Sequence, residues 1–589
     1  MVRSQVGRAG GVLAWALLAS LQAAAAPAPD PAAQVTALAD EYVALILQAD
    51  PTPAYYDTLP LKRHDYLPRN SAADRARFDA GEDAIWRKFQ TIDASALRED
   101  RGAELVHAQM REFLETSRAL RVCKAWEWNV NHMFGWQNTF TELAARQPVS
   151  TPQLREQALA RWSSLPAFID TEIANLREGV QDGRTAPKPV VARVVKQVDG
   201  LLAVAPRESP LFAPAREAKD AAFSRQFEAL ITDKIQPALK RYRDFLANEY
   251  QPRARDTLGL SAMPDGEACY RAQLRQYTTL DRAPKDVFAL GEKTVNANVV
   301  AVQEIGQSLF GTRDLKAIVK RVDEAPDNRF ASADEQLAFS RQLLDSAREK
   351  SAPFFSTMPK QPAIVEPLKP EQRNTGVSSH YEPQPDESKP GVYRANLDHP
   401  DADRRGAAEI TLVHETWPGH HLQIALARTL GERHPMSVLT FNSAYVEGWA
   451  RYSEALSEEA GIYTTPYARI SRRLWPARGM VADPGIHVLG WTREQATAYM
   501  AESGRFSPEM AAELVDRIAA MPGQLTAYDS GGLEIVALRN QAQAALGADF
   551  DLRQFHDQVL GDGVVPLRFL RERVEAWIAQ RKAQAKTAR

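Results

Sequence analysis

The stretch Val413-His414-Glu415-Thr416-Trp417-Pro418-Gly419-His420-His421-Leu422-Gln423 decides how the rest of the chain is read. It holds three of the chain's 11 histidines, with a glutamate directly after the first. Zinc hydrolases are usually built this way: neutral imidazoles hold the metal, and the neighbouring carboxylate takes a proton from the water it activates. In the familiar H-E-x-x-H spacing the two histidines stand four residues apart on one helix face. Here the fourth position after His414 is Pro418. On an unbroken helix His420 would lie roughly 240° around from His414, and His421 would return to the same face only about 10.5 Å further along. Neither could share an ion with His414 through bonds of about 2.0–2.1 Å unless the helix breaks. Pro418 has no amide hydrogen, its ring clashes with the His414 carbonyl, and Gly419 permits backbone angles closed to other residues. The Pro-Gly pair therefore reads as a two-residue insertion into H-E-x-x-H. Removing it puts His420, in preference to His421, in the place of the second ligand. The alternative is a polar helix end whose Pro-Gly turn carries surface histidines.

A third protein ligand is needed, and catalytic zinc commonly takes two histidines and one carboxylate, leaving a position open. Downstream the chain returns to helical periodicity, and Tyr445-Val446-Glu447-Gly448-Trp449-Ala450-Arg451-Tyr452-Ser453-Glu454 supplies the candidates. Glu447 sits beside apolar Val446 and Trp449, where an unpartnered carboxylate would be costly. Glu454 lies on the same face but is flanked by Glu458 and Glu459, and is read as solvated.

Upstream, residues 352–400 are dense in proline and lose helical periodicity. Ala363–Glu366 and Gly391–Leu397 look extended, the second with alternating side chains. Its free edge is expected either to pair with an extended peptide lying across the metal or to belong to a small sheet capping the helices. Earlier still, apolar residues recur at three- and four-residue steps over Val35–Leu47, Ala103–Leu120 and Arg155–Leu176. Asp30-Pro31, Ser150-Thr151-Pro152 and Thr185-Ala186-Pro187 are plausible helix starts. Trp126, Trp128 and Trp136 read as core aromatics. Lys285–Leu309 and Asp334–Lys350 extend the helical pattern.

Among 589 residues, 44% are hydrophobic and 25% charged, as in globular proteins, and a net charge of −3 gives no electrostatic reason to expect nucleic acid. No apolar run after the N-terminus approaches the length of a membrane span. The N-terminus reads as an address: Arg3 and Arg8, an apolar core from Gly11 to Leu21, then small residues suited to cleavage after Ala25. Residues 1–25 are thus expected to be a signal peptide of an exported, periplasmic protein. Cys123 and Cys269 are the only cysteines. They are read as two buried free thiols, with a bridge as the alternative in an oxidising compartment.

The chain resembles a large bacterial family catalogued as domain of unknown function 885 and generally regarded as zinc peptidases. The likeness rests on the H-E-x-x-P-G-H-H-L-Q form of His414–Gln423 and on Tyr445-Val446-Glu447-Gly448-Trp449-Ala450. It extends to Arg478–His487, Gly490–Ala496 and Pro522-Gly523-Gln524 with Tyr528, and so to nearly all of the mature chain. Two stretches depart from the family's habit. Ala482-Asp483-Pro484-Gly485 replaces a Val-Asp-Thr-Gly-style run, and Asp529-Ser530-Gly531-Gly532 stands where a lysine and an aliphatic residue are more usual. Both bear on substrate specificity more than on the metal site. The resemblance implies a mainly α architecture: a large, two-lobed, zinc-peptidase-like fold with a deep cleft and a small β element before the metal-site helix. Residues 26–260 are expected to form an N-terminal helical lobe and 261–589 a C-terminal lobe with the metal site, together one catalytic unit.

The chemistry expected is hydrolysis of peptide bonds by one zinc per chain, held by His414, His420 and Glu447, with Glu415 as general base. His487 or Tyr528 is expected to donate to the developing oxyanion. Arg478 is a candidate for a substrate carboxylate, or else pairs with Asp483. His421 is expected to support the metal from outside its ligand shell, and Tyr393 and Asn396 to line the cleft. The competing readings are an exported peptide-binding protein with a non-catalytic zinc site and a zinc hydrolase of a non-peptide amide. Oligomeric state is not legible.

Overall fold

The computed structural model describes residues 30–587, apart from 57–58, 375–376, 385, 432 and 440–441. The expected signal peptide therefore lies outside the described residues. The chain is mainly helical, with one three-stranded sheet. Helix starts follow local chemistry. The Asp30 side chain accepts from the Ala32 amide, with Pro31 opening the Pro31–Ala49 helix, and Thr151 caps Pro152–Ser163 by accepting from the Leu154 amide. The periodic run over Arg155–Leu176 is two helices, Pro152–Ser163 and Leu165–Gln181, because Pro166 fits the first turn of a helix at no cost but would kink or break an interior.

The three largest buried clusters organise the packing. The first is built on Val35, Tyr42, Met110 and Leu114, and the second on Trp136, Trp162, Ile169, Phe227 and Tyr242. The third lies under the histidine motif and contains Trp417, Leu422, Tyr445, Trp449 and Ile535. Of the three aromatic residues read as core, Trp136 is buried in the second cluster. Trp126 lies under the Arg75 guanidinium at 4.4 Å, and Trp128 donates to the Cys123 carbonyl at 3.0 Å.

The sheet comprises β1 (Ala363–Pro367), β2 (His380–Glu382) and β3 (Gly391–Ala395) in the order β1-β3-β2. β1 runs parallel to β3 with Val365 opposite Tyr393, and β2 runs antiparallel with Tyr381 opposite Tyr393. Of the two alternatives expected for Gly391–Leu397, a small sheet forms and the free edge is corrected. That strand is central and bonded on both sides, and β2, too short and proline-flanked to stand out in the sequence, is the outer strand beside the histidine motif.

The cysteines are also corrected. Cys123, in the turn after the Arg101–Leu120 helix, and Cys269, on the Gly266–Thr278 helix, form a disulfide with their Cα atoms 4.7 Å apart. The contact depends on packing against Leu260, Met263 and Tyr270, which separation along the chain does not show. Because the bridge closes a separation of 146 residues, its loss removes a large restriction on the unfolded chain. Cys269→Ser is expected to destabilise by about 2–4 kcal/mol, read as a lower urea midpoint. An unchanged midpoint would contradict the assignment of a structural role.

Candidate metal centre

The Arg405–Glu415 helix stops one residue after His414. Thr416 takes non-helical angles (φ −120°, ψ −103°) and returns its amide and hydroxyl to the Leu412 carbonyl at 2.8 and 2.7 Å. The Trp417–Pro418 peptide is cis, and the Gly419 amide bonds back to Val413 at 3.1 Å. A Cβ on Gly419 would sit 1.9 Å from the His414 carbonyl oxygen, so this fold-back requires glycine. A new helix, His420–Arg428, then begins at the second histidine. The break thus turns the His420 ring towards His414, their centroids 4.8 Å apart and their planes nearly perpendicular.

The third element is the Ser443–Glu459 helix, started by Asn442, which accepts from the Tyr445 amide at 3.1 Å. This helix grips the turn directly. Trp449 Nε1 and Ser453 Oγ both donate to the Pro418 carbonyl, at 2.9 and 3.1 Å. On its other side it crosses the Ala527–Leu546 helix so closely that a Cβ on Gly531 would lie 1.7 Å from the Ala444 carbonyl oxygen. The Ser530-Gly531-Gly532 stretch is therefore a crossing point, and it brings Tyr528 to the same cavity.

The result is one cluster. His414, His420 and Glu447 have ligand atoms all within 4.8 Å of one another, the only such group of His, Cys, Asp and Glu found among the described residues. Glu447 Oε2 is 3.4 Å from His414 Nε2 and 3.6 Å from His420 Nε2, and that buried oxygen has no hydrogen-bond partner. Tetrahedral ligands on bonds of about 2.0–2.1 Å are separated by about 3.4 Å, so both spacings fit the edges of a zinc site. Burial would raise the Glu447 carboxyl pKa, but His414 and His420 hold it well below the usual carboxylate range. Burial likewise disfavours a charged His414, but Glu447 and Glu454 outweigh it and bring its pKa up to about 10. The pocket is an environment that favours positive charge.

Around the cluster runs an orienting network. His414 Nδ1 donates to Glu454 Oε1 at 2.9 Å, leaving Nε2 free to face the cluster. Glu454, read above as solvated, is instead buried. Arg451 pairs with it at 2.8 Å and with Asp529 at 3.1 Å. Its seven-residue spacing from Glu447 was the usable signal, and the acidic neighbours Glu458 and Glu459 obscured it. Glu415 Oε2 accepts from the Tyr381 amide of β2 at 3.0 Å. His421 points away from the cluster. Its Nε2 donates to the Gln361 carbonyl at 3.0 Å, so its Nδ1 accepts from the Tyr381 hydroxyl at 2.8 Å. Burial pushes its pKa down to about 4, which keeps the ring neutral. His421 therefore holds the residue that holds Glu415.

The cluster opens on a cavity of about 440 Å³ lined also by His380, Tyr381, Glu415, Arg451, Arg472, Trp475, Arg505 and Tyr528. The Tyr528 ring lies 6.0 Å from the Arg451 guanidinium.

The sequence matches a family described as a bacterial protein of unknown function, DUF885, over residues 51–574. The chain belongs to this family. Among solved structures, a candidate lipoprotein from Colwellia psychrerythraea is 24% identical with a TM-score of 0.81, the match covering 93% of this chain and 100% of that one. A candidate lipoprotein of unknown function from Shewanella oneidensis is 19% identical with a TM-score of 0.77, covering 91% and 99%. Identities this low show a shared fold. No curated protein matches the sequence.

Four expected site residues stand elsewhere. His487 is fully buried, accepting from the Leu260 amide at 3.2 Å and donating to the Ile518 carbonyl at 3.1 Å, and stacked on Tyr270. Burial drives its pKa to about 3, so it is a neutral structural ring outside the cavity lining and not an oxyanion donor. Arg478 is buried and spent on the Leu474 and Tyr499 carbonyls at 3.1 and 2.8 Å. Nor does it pair with Asp483, which accepts from Tyr270 and the Gly523 amide. Tyr393 is packed in the core from the central strand, and Asn396 ties its own loop to the Val377 carbonyl at 2.8 Å. Each lies near the motif in sequence or in family pattern, and each serves the fold through packing or hydrogen bonds to backbone.

Removing the carboxylate behind His414 tests the network. Glu454→Gln is expected to weaken zinc affinity by about 10–100-fold in chelator competition, with the fold retained by circular dichroism. Unchanged affinity would show that Glu454 orients nothing.

Proposed function

We propose that the protein is a zinc-dependent metallopeptidase, an exported hydrolase of peptide bonds. The observation that carries this reading is the unpartnered Glu447 oxygen facing two imidazole nitrogens at 3.4 and 3.6 Å, with Glu415 on the same cavity wall. The donor set of two histidines and one carboxylate suits a catalytic rather than a structural zinc, since three protein ligands leave a position open. Zinc held there supplies Lewis acidity and lowers the pKa of water towards neutrality.

The chain's own residues account for the proton movements. Glu415, fixed through one oxygen by the Tyr381 amide, accepts a proton from the attacking water and passes it to the leaving nitrogen. Tyr528 stands on the same wall as the donor to the developing oxyanion. The two-lobed reading, with residues 26–260 and 261–589 as walls of a cleft, is supported by a second cavity of about 520 Å³. It is lined by Trp128, Asn131 and Pro187 from one part and Tyr277, Met521 and Gln524 from the other. Export to the periplasm is supported by the disulfide, which belongs to an oxidising compartment. Both structural relatives are described as candidate lipoproteins, and among the described residues no helix is long and apolar enough to cross a membrane.

The test is Glu415→Gln beside the wild type. Both are expected to bind one zinc, with peptide-library cleavage falling by about 10²–10⁴-fold in the variant. Zinc binding without cleavage by either protein would favour a peptide-binding role. Full activity in the variant would remove Glu415 from the mechanism.

A further inference from the structure

Three guanidinium groups line the cavity at the metal centre: Arg451, Arg472 and Arg505. Arg451 is committed to Glu454 and Asp529. Arg472 bonds to Glu458 at 2.6 and 2.9 Å, but the same carboxylate also takes Arg469 at 3.0 Å and Arg473 at 2.8 Å. One negative charge thus serves three positive ones, and that side of the cavity carries a positive excess. Arg505 is exposed, and among the described residues its side chain makes no ion pair or hydrogen bond; Glu454 and Asp403 act on its charge only through space, and its backbone amide is tied to Ser503 Oγ at 3.1 Å. Its position is nevertheless built. Phe506 meets Trp475 edge-on at 4.9 Å, which docks the loop between the Arg493–Ala501 and Pro508–Ala520 helices against the end of the Pro466–Leu474 helix. That contact brings Arg505 to the wall shared by Arg472 and Trp475.

A planar guanidinium fork matches a carboxylate, and it is well suited to bind one where no protein carboxylate has claimed it. The cavity, about 440 Å³, falls in the range of sites for small ligands, roughly 300–1,000 Å³. That is room for the end of a chain rather than a long extended segment.

We propose that Arg505, with Arg472 lining the same cavity, binds the C-terminal carboxylate of the substrate, so that the protein shortens peptides from their C-terminal end. This rests on the peptidase reading above and names its substrate class: short peptides with a free C-terminus.

The experiment compares one apolar tetrapeptide as its free acid, as its C-terminal amide, and as an amide with glutamate in the last position. Each is given to the zinc-loaded wild type, Arg505→Gln and Arg505→Lys. The wild type is expected to prefer the free acid over the plain amide by about 10–100-fold in kcat/KM, mostly through KM. Arg505→Gln abolishes the preference and Arg505→Lys restores part of it. Equal rates on acid and amide overturn the proposal, and a glutamate amide used as well as the free acid overturns the terminal assignment. If the wild type cleaves none of the three, the peptidase reading fails separately, and calorimetric titration of the same peptides onto Glu415→Gln decides the carboxylate site. Tighter binding of the free acid, lost when Arg505→Gln is added, supports it; equal binding of acid and amide overturns it.

Discussion

The Pro418 carbonyl is the hinge on which the site depends. It accepts from Trp449 Nε1 and Ser453 Oγ, and both donors stand on the helix that carries Glu447. A helix broken between two ligands loses the backbone ladder that would otherwise fix their relative angle. Here the lost rigidity is replaced from outside. The helix that supplies the third carboxylate also holds the turn that sets the first two side chains, so the three groups are referenced to one rigid element. Trp449 is buried against Phe355 and His556, so the clamp belongs to the core itself.

Electrostatics follow the same nested plan. Glu447 faces both imidazoles, Glu454 stands behind His414, and Arg451 lies between Glu454 and Asp529. Burying several charges together costs desolvation that mutual attraction does not always repay, so such a network is poor evidence for stability. Its effect is orientation: it fixes the tautomer of His414 and leaves a local excess of negative charge beside the two imidazoles. Where Arg472 lines the same cavity, the Arg469, Arg472 and Arg473 trio around Glu458 creates the opposite imbalance. The cavity thus has an acidic end suited to a cation and a basic wall suited to an anion.

The helical class and the meeting of His414, His420 and Glu447 were legible in the sequence for a definite reason. Proline four residues after His414 weighs heavily against a continuous helix, and a two-residue fold-back lets the second histidine approach. Helix starts at Asp30-Pro31 and Thr151-Pro152 were legible because capping is local. What escaped depends on distant packing. Cys123 and Cys269 meet only through the fold. β2 is three residues long and is defined by its neighbour. His487 and Arg478 carry the right chemistry but sit in a helix buried along its whole length, whose proline and glycine content hides any periodicity. Glu454 was visible at the right spacing, yet its acidic neighbours made it look solvated. Arg505 had no local signal, since only the fold brings it to the cavity wall.

His414, His420 and Glu447 are proposed to form one metal site. Anomalous scattering at the zinc edge from crystals of the mature protein, alongside metal content in solution, decides whether one ion sits among them. The expected result is a single strong peak bonded to His414 Nε2, His420 Nε2 and Glu447, about one zinc per chain, and loss of both in His420→Ala. A wild-type protein that binds no metal after zinc loading, or a peak on His421 in place of His420, would contradict it.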